Sequence, residues 1–140
     1  MSDIHLDLIE AYKNAYYRVF IDEGYFDLRL GEKTCELEEI YHATGADSAL
    51  FITAFNPWSK ACSEEENNDY QSQLITEITR ISTKIYQGEG GDLDMRWPPE
   101  KSILVLGVDR SLAEDFGNRF RQNAIIWAGS DHIPQLILLR

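Results

Sequence analysis

Two apolar segments with an amphipathic helix between them constrain the fold of this 140-residue chain more than any other feature. Residues 51–55 and 102–108 are mostly or continuously apolar, as strands covered on both faces are. Between them, Ser63 and Glu66 form a capping box that predicts a helix start. The helix then carries an apolar stripe of Leu74, Ile78, Ile81 and Ile85. The pattern predicts a long helix over residues 63–86 that packs against a sheet.

The other periodic segments predict three further helices and at least four strands. The helices are predicted over residues 3–17, over residues 34–45 and after Ser111, which with Glu114 forms a second capping box. A hairpin is predicted over residues 19–30, and strands over 123–128 and 134–139. The glycine-rich segment 88–92 is predicted as a flexible turn. Residues 134–139 are apolar on both faces, so this strand is expected either in the centre of the sheet or covered by a partner.

The order of these elements predicts one α+β domain over residues 1–140. Helices and strands alternate from residue 48 onward, and no linker or repeat divides the chain. We therefore expect a two-layer sandwich with a mixed, mostly antiparallel sheet and helices packed on one face. A ferredoxin-like split strand-helix-strand core is one arrangement that this order allows.

The charge and the cysteine content exclude several classes of function. Thirteen basic against 24 acidic residues give a net charge of −11, which repels nucleic acid and anionic membrane surfaces. Residues 1–7 lack the basic and apolar parts of a secretory leader, and Cys35 and Cys62 form no CxxC pair. We expect an acidic cytoplasmic protein, a monomer or homodimer, with neither a metal centre nor another cofactor.

Side-chain amides mark the best candidate site. They lie at predicted strand ends or on the inward line of the long helix: Asn56, Asn67, Gln71, Gln122 and Asn123. Buried amides must have hydrogen-bond partners. They either bond to one another and to the backbone, or line a neutral pocket for which Trp58, Trp97 and Trp127 supply aromatic walls. Glu64, Glu65 and Glu66 disfavour anions at the helix start, so a small neutral or cationic ligand, or a protein, is expected near Asn56 and Asn67.

Two other functions remain open at the level of sequence. Glu89, Asp92 and Asp94 could bind magnesium together with a substrate phosphate in a metal-assisted hydrolase, although Asp92 and Asp94 are expected to face solvent. Trp97 stands where a calcium loop needs glycine, so a calcium site is disfavoured. Glu89 or Glu100 could serve in acid–base catalysis if burial tunes its pKa. Alternatively, the acidic chain could block a basic partner.

The order and spacing of several short motifs resemble a known family. The motifs are Ile52-Thr-Ala-Phe-Asn-Pro-Trp-Ser59, Ser63-Glu-Glu-Glu-Asn67 with Leu74, Trp97 with Glu100 and Ser102 before Leu104-Val-Leu-Gly107, and Phe120 with Gln122-Asn-Ala-Ile125. Over residues 17–140 the chain resembles a bacterial domain family of unknown function, number 3293 in that series. Arg121 departs from the small residue expected between Phe120 and Gln122. The resemblance implies no activity.

Overall fold

The computed structural model describes residues 5–140. The α-helices are α1 (Leu6–Lys13), α2 (Cys35–Thr44), α3 (Glu64–Ile78) and α4 (Arg110–Arg119). The strands are β1 (Ala15–Ile21), β2 (Gly24–Asp27), β3 (Ala49–Ile52), β4 (Ile85–Asp92), β5 (Glu100–Leu106), β6 (Ala124–Ala128) and β7 (Gln135–Leu138). A single 3₁₀ turn, Pro57–Ser59, follows β3. Within the described residues, no helix is long and apolar enough to span a membrane.

All seven strands belong to one curled sheet in the order β2-β1-β4-β5-β3-β6-β7. Every neighbouring pair is antiparallel. The predicted α+β class is confirmed, and the expected mixed sheet is in fact fully antiparallel. Within it, β3-α3-β4-β5-α4-β6 follow one another in the chain and lie in the spatial order β4-β5-β3-β6, which is the connectivity of a ferredoxin-like split core.

Side-chain alternation along the central strands divides the core into two clusters. Leu50 and Ile52 of β3 pack with α3 and α4 on one face, whereas their neighbours Ala49 and Phe51 pack with α2 on the other. The expected packing of the helices on one face of the sheet therefore holds for α3 and α4, whereas α2 packs on the opposite face. Because both faces of β3 are covered, its four residues are all buried, as the apolar run predicts.

The long central helix is shorter than predicted, and the segment after it is a strand. The α-helix α3 ends at Ile78, and Ile81 is 47% exposed. Residues 85–92, predicted as the end of this helix and a flexible turn, form β4 between β1 and β5. A side chain at Gly88 would overlap the carbonyl oxygen of Arg18, and one at Gly91 would overlap the ring of Tyr16. These glycines are therefore required by close packing against β1.

Two helix starts or ends also differ from the prediction. The α-helix α1 ends at Lys13 because Ala15 already pairs with β4, and the predicted residues 3 and 4 lie outside the described part. The N-cap of α4 is Asp109, whose side chain accepts a hydrogen bond from the backbone N–H of Leu112. The predicted capping box at Ser111 is therefore wrong: a carboxylate two residues earlier caps the helix instead.

The strand β7 lies at an edge of the sheet, so the central position, one of its two expected arrangements, is wrong, and cover by a partner stays a prediction. The segment before α2 covers the start of this edge. Gly31 N–H donates to Pro134 O (2.8 Å), and Thr34 N–H donates to His132 O (2.9 Å). The chain thus crosses from β2 at one edge to β7 at the other, and α2, which follows this segment, packs on the face of the sheet opposite α3 and α4.

Candidate functional site

Asn56 and Asn67 form a reciprocal pair where β3 gives way to the 3₁₀ turn. The Asn56 backbone N–H donates to Asn67 Oδ1 (2.8 Å), and Asn67 Nδ2 donates to Asn56 Oδ1 (2.9 Å). Asn56 Oδ1 also accepts from the backbone N–H of Cys62 (3.0 Å). Asn67 faces β3 because the capping box at Ser63 starts α3 in the register that turns this side chain inward. The pair fixes the irregular connection between β3 and α3.

Gln71 and Gln122 hold the end of β3 from two other elements. Gln71 Oε1 accepts from the backbone N–H of Ala54 (2.8 Å), and Gln122 Nε2 donates to Phe55 O (3.2 Å). Both side chains are more than nine-tenths buried. Gln71 Nε2 has no partner and is the one fully buried, unbonded side-chain polar atom among residues 5–140. Apart from that nitrogen, these two amides act as structural anchors.

Asn123 connects three other parts of the chain. Its Nδ2 donates to Ser59 Oγ (2.9 Å), and its Oδ1 accepts from Arg140 Nη1 (3.1 Å). Ser59 Oγ also shares a hydrogen bond with Tyr12 OH (3.1 Å). The Arg140 guanidinium carbon lies 4.5 Å from the centre of the Trp58 ring. Tyr12 and Arg140 are not among the residues predicted for the site, whereas Trp58 is one of the expected aromatic walls.

Glu100, the first residue of β5, brings a carboxyl group to the same place. Asn56 Nδ2 donates to Glu100 Oε2 (3.0 Å). Burial raises the pKa of Glu100 to about 7, and the bond from Asn56 opposes this shift. Burial also raises the pKa of Tyr12 and Tyr17, to which the nearby Glu100 charge contributes. We call this surface the polar edge and define it as Tyr12, Asn56, Trp58, Ser59, Glu100 and Asn123.

The backbone of the polar edge is strained. Of the six non-glycine residues with positive φ in the described part, three belong to the polar edge, Asn56 (48°), Trp58 (57°) and Ser59 (61°), and a fourth, Arg121 (58°), lies two residues before Asn123. The Trp58 N–H donates to Arg121 O (2.7 Å), which ties the two strained segments together. Such conformations cost on the order of 1–3 kcal/mol each for ordinary residues. Of the small residues expected at position 121, glycine would adopt this backbone without that cost.

The other predicted aromatic residues do not join the polar edge. Trp127 Nε1 donates to Val108 O (2.8 Å) beyond the far end of β5, so the expected wall at Trp127 is wrong. Trp97 is half-buried in the connection between β4 and β5, three residues before Glu100. It takes no part in the amide hydrogen bonds, which involve only backbone groups and the side chains named above.

The carboxylates proposed for magnesium have other partners. Glu89 Oε2 accepts from Tyr16 OH (2.7 Å), and Asp92 accepts from Arg96 Nε (2.7 Å) and Nη2 (3.1 Å). Asp92 is 3% exposed, so its expected solvent exposure is wrong, whereas Asp94 is exposed. Hydrogen bonds from Arg96 lower the pKa of Asp92 to about 2. The described residues contain no group of three side chains that could hold a metal ion.

An open depression of about 450 Å³ lies between α3 and α4, away from the polar edge. It is lined by Asp69, Ser72, Gln73, Thr76, Glu77, Arg119 and Phe120. Five of these seven side chains are exposed, and the other two are partly exposed. None of them is a buried polar group that a ligand could satisfy. The depression therefore offers a weaker site than the polar edge.

Comparison with known proteins identifies a family. Residues 52–125, just over half of the chain, match the family described as Protein of unknown function (DUF3293). This segment includes the five predicted amides, Trp97 and Glu100. No curated protein and no solved structure matches the chain. The resemblance carried by the short motifs is thereby confirmed, and the chain belongs to this family of unknown function.

Proposed function

We propose that the chain is a binding module whose polar edge takes a small neutral or cationic ligand. The observation that carries this proposal is the Glu100 carboxyl group, which is largely buried and has one hydrogen-bond donor, Asn56, among residues 5–140. A carboxylate accepts several hydrogen bonds. A ligand that carries N–H groups would supply the missing donors.

The negative charge of the site favours a ligand that is cationic or neutral. Among the described residues, no ion pair involves Glu100. An anion would meet this carboxylate and a chain of net charge −11, so Coulomb repulsion opposes its binding. A cation would be attracted to the Glu100 carboxylate, which has no ion-pair partner among the described residues, and a neutral amide would not be repelled by it.

The strained turn supports the same proposal. Left-handed backbone at Asn56, Trp58 and Ser59 is held by hydrogen bonds with Asn67 of α3 and with Arg121 and Asn123, which precede β6, so their side chains are positioned before any ligand arrives. Preorganisation lowers the entropic cost of binding. Strain of this kind concentrates at functional sites, which favours binding over a purely structural role.

Nuclear magnetic resonance titrations test the proposal. Methylammonium chloride serves as the cation, N-methylacetamide as the neutral amide and sodium acetate as the anion, at one ionic strength. We expect saturable shifts of the Asn56, Trp58 and Ser59 amide signals with the cation or the amide, even at a weak Kd of about 1 mM, and none with acetate. Glu100→Gln should weaken methylammonium binding, while Asn118→Ala, an exposed change on α4, should not. If neither methylammonium nor N-methylacetamide gives a saturable shift, the proposal fails.

The acid–base function is the second candidate. A carboxyl group whose pKa lies at about 7 is suited to exchange a proton near neutral pH. Burial beside Tyr12 and Tyr17 produces this value at Glu100, whereas Glu89 is bonded to Tyr16 on another part of the sheet. An enzyme would lose turnover in Glu100→Gln without losing affinity for its substrate.

The proposed location of the module is the cytoplasm. Cys35 and Cys62 are both free thiols, as expected in a reducing compartment. The net charge of −11 also makes nucleic acid an unfavourable direct partner. A partner protein that presents an amine or amide group could use the same contacts as a small ligand.

A further inference from the structure

The Arg140 side chain shows which chemical group fits the polar edge. Its guanidinium carbon lies 4.5 Å from the centre of the Trp58 ring, and its Nη1 donates to Asn123 Oδ1 (3.1 Å). A guanidinium group is planar, stacks on aromatic faces and donates hydrogen bonds in the plane of its nitrogens. The indole face and the amide oxygen therefore match two separate properties of this group.

The Trp58 indole face and the Asn123 amide oxygen, which together we call the cradle, are both fixed independently of Arg140. Trp58 is held in the left-handed conformation by its N–H bond to Arg121 O (2.7 Å). Asn123 is 5% exposed, and the bond from its Nδ2 to Ser59 Oγ leaves Oδ1 as the free acceptor side of the amide. The geometry is consequently present whether or not the Arg140 side chain occupies it.

Above its pKa of about 7, the Glu100 carboxyl group places a negative charge near the cradle. Ser59 Oγ, which orients Asn123, also bonds to Tyr12 OH, and the Glu100 charge acts on that phenol. Asn56, bonded to Glu100 Oε2, lies two residues before Trp58. Hydrogen bonds connect the carboxylate with the Asn123 amide through Asn56 and Ser59, whose backbone N–H donates to Asn56 O (2.8 Å), and Trp58 lies between these two residues in the chain. Together they favour a planar cation over a neutral group of the same shape.

We propose that the polar edge binds a guanidinium group and that Arg140 is its internal competitor. This inference rests on the proposed function and narrows its ligand class. The group could belong to a small guanidine compound or to an arginine side chain of a polypeptide. An external guanidinium would have to displace Arg140 from Trp58 and Asn123, so the apparent affinity of the unaltered chain is reduced by the fraction of time in which the cradle is open.

Competition predicts that removal of Arg140 tightens binding. If its side chain occupies the cradle about nine-tenths of the time, Arg140→Ala should lower the apparent Kd for methylguanidinium about tenfold. Arg140→Lys keeps the charge but loses the planar fork, so its Kd for methylguanidinium should lie between that of the unaltered chain and that of Arg140→Ala. Trp58→Leu should weaken binding in the Arg140→Ala background.

The experiment uses the Trp58 indole resonance and three probes of similar size. Methylguanidinium is the planar cation, N-methylurea is its neutral counterpart, and methylammonium is a non-planar cation. A capped tripeptide, Gly-Arg-Gly, tests whether an arginine within a polypeptide binds as well as the small compound. Folding of every variant is checked by its amide spectrum, and Asn123→Asp, which retains the acceptor oxygen, provides a second test if Trp58→Leu does not fold.

We expect methylguanidinium to bind the Arg140→Ala variant more tightly than N-methylurea or methylammonium does. Equal affinity for methylguanidinium and N-methylurea would overturn the guanidinium inference while leaving the binding module in place. An unchanged Kd in Arg140→Ala would overturn the competition. If none of the three probes binds, the proposed function fails together with the inference.

Discussion

Replacement of Asn67 by alanine measures how far the amide pair supports the fold. Asn67 is 5% exposed and makes two hydrogen bonds, both to Asn56. The change removes both bonds and leaves the Asn56 backbone N–H without its partner, while Asn56 Oδ1 keeps the bond from Cys62. The structure therefore allows the cost to be calculated from a small number of contacts.

The expected loss of stability is about 2 kcal/mol. Loss of the bond from Asn67 Nδ2 costs about 1 kcal/mol, and the Asn56 N–H left without its partner costs about 1–3 kcal/mol. Alanine is the better helix former by about 0.5 kcal/mol, which offsets part of this loss. The control Asn68→Ala lies beside it on α3 and makes no side-chain hydrogen bond to the described residues. This control should gain the helix propensity alone.

Urea unfolding followed by far-ultraviolet circular dichroism provides the assay. The free energy of unfolding should fall by about 2 kcal/mol in Asn67→Ala and stay equal or rise slightly in Asn68→Ala. Equal stability of the two variants would refute the conclusion that Asn67 is a structural anchor. A stable Asn67→Ala variant that no longer bound methylammonium would instead assign Asn67 to ligand contact, since binding sites are often kept at a cost in stability.

Three further changes test other parts of the structure. Because burial raises the pKa of Glu100 from 4.5 to about 7, the folded state binds the proton more tightly, and stability should fall as pH rises from about 4.5 to about 7, by up to about 1.4 kcal/mol per pH unit. Glu100→Gln should therefore be more stable than the unaltered chain near pH 8 (about one unit above this pKa) in urea melts, but not near pH 4, and the same pH dependence in both proteins would contradict this assignment. Arg96 holds the pKa of Asp92 at about 2, below its ordinary 3.8. The pair therefore stabilises the fold above pH 3.8, and this contribution is lost as pH falls towards about 2. Arg96→Gln should move the midpoint of acid unfolding to higher pH, and an unchanged midpoint would show that the pair adds nothing to stability. Gly88→Ala would force a side chain against a backbone oxygen of β1 and should lower the free energy of unfolding by about 2 kcal/mol in thermal or urea melts. The control Gly90→Ala, whose added Cβ would have its nearest atom 3.7 Å away, should leave stability nearly unchanged. Equal effects of the two changes would contradict the close packing at Gly88.

The split core could be predicted because its strands and helices carry continuous local signals. Residues 102–108 form an uninterrupted apolar run, and the box at Ser63 and Glu66 marks the start of α3 as predicted. These signals depend only on neighbouring residues. The β4 strand had no such signal, since its glycines are explained by the ring and backbone of β1, about 70 residues away in the chain.

Part of the candidate site could be predicted because its signals are also local in the sequence. Asn56 and Asn67 are eleven residues apart, and both the strand end and the inward helix line are visible in the sequence. Tyr12 and Arg140 reach the site from opposite ends of the described chain, and only the sheet order brings them together. Glu100 was considered for its chemistry, but its pKa depends on burial that local sequence does not reveal.

The segment that crosses from β2 to β7 has a consequence for the order of folding. Its bonds from Gly31 and Thr34 join residues about 100 positions apart, and the pairing of β1 with β4 joins residues 69 to 77 positions apart, from Val19 with Gly88 to Ala15 with Asp92. Closing such long loops costs entropy before the contacts repay it. We expect β3 to β6 to assemble first and the curl to close last. Kinetically, the contacts of the crossing segment with the residues before β7 and the pairing of β1 with β4 should then form in the slowest step and exchange their amide hydrogens earliest on unfolding.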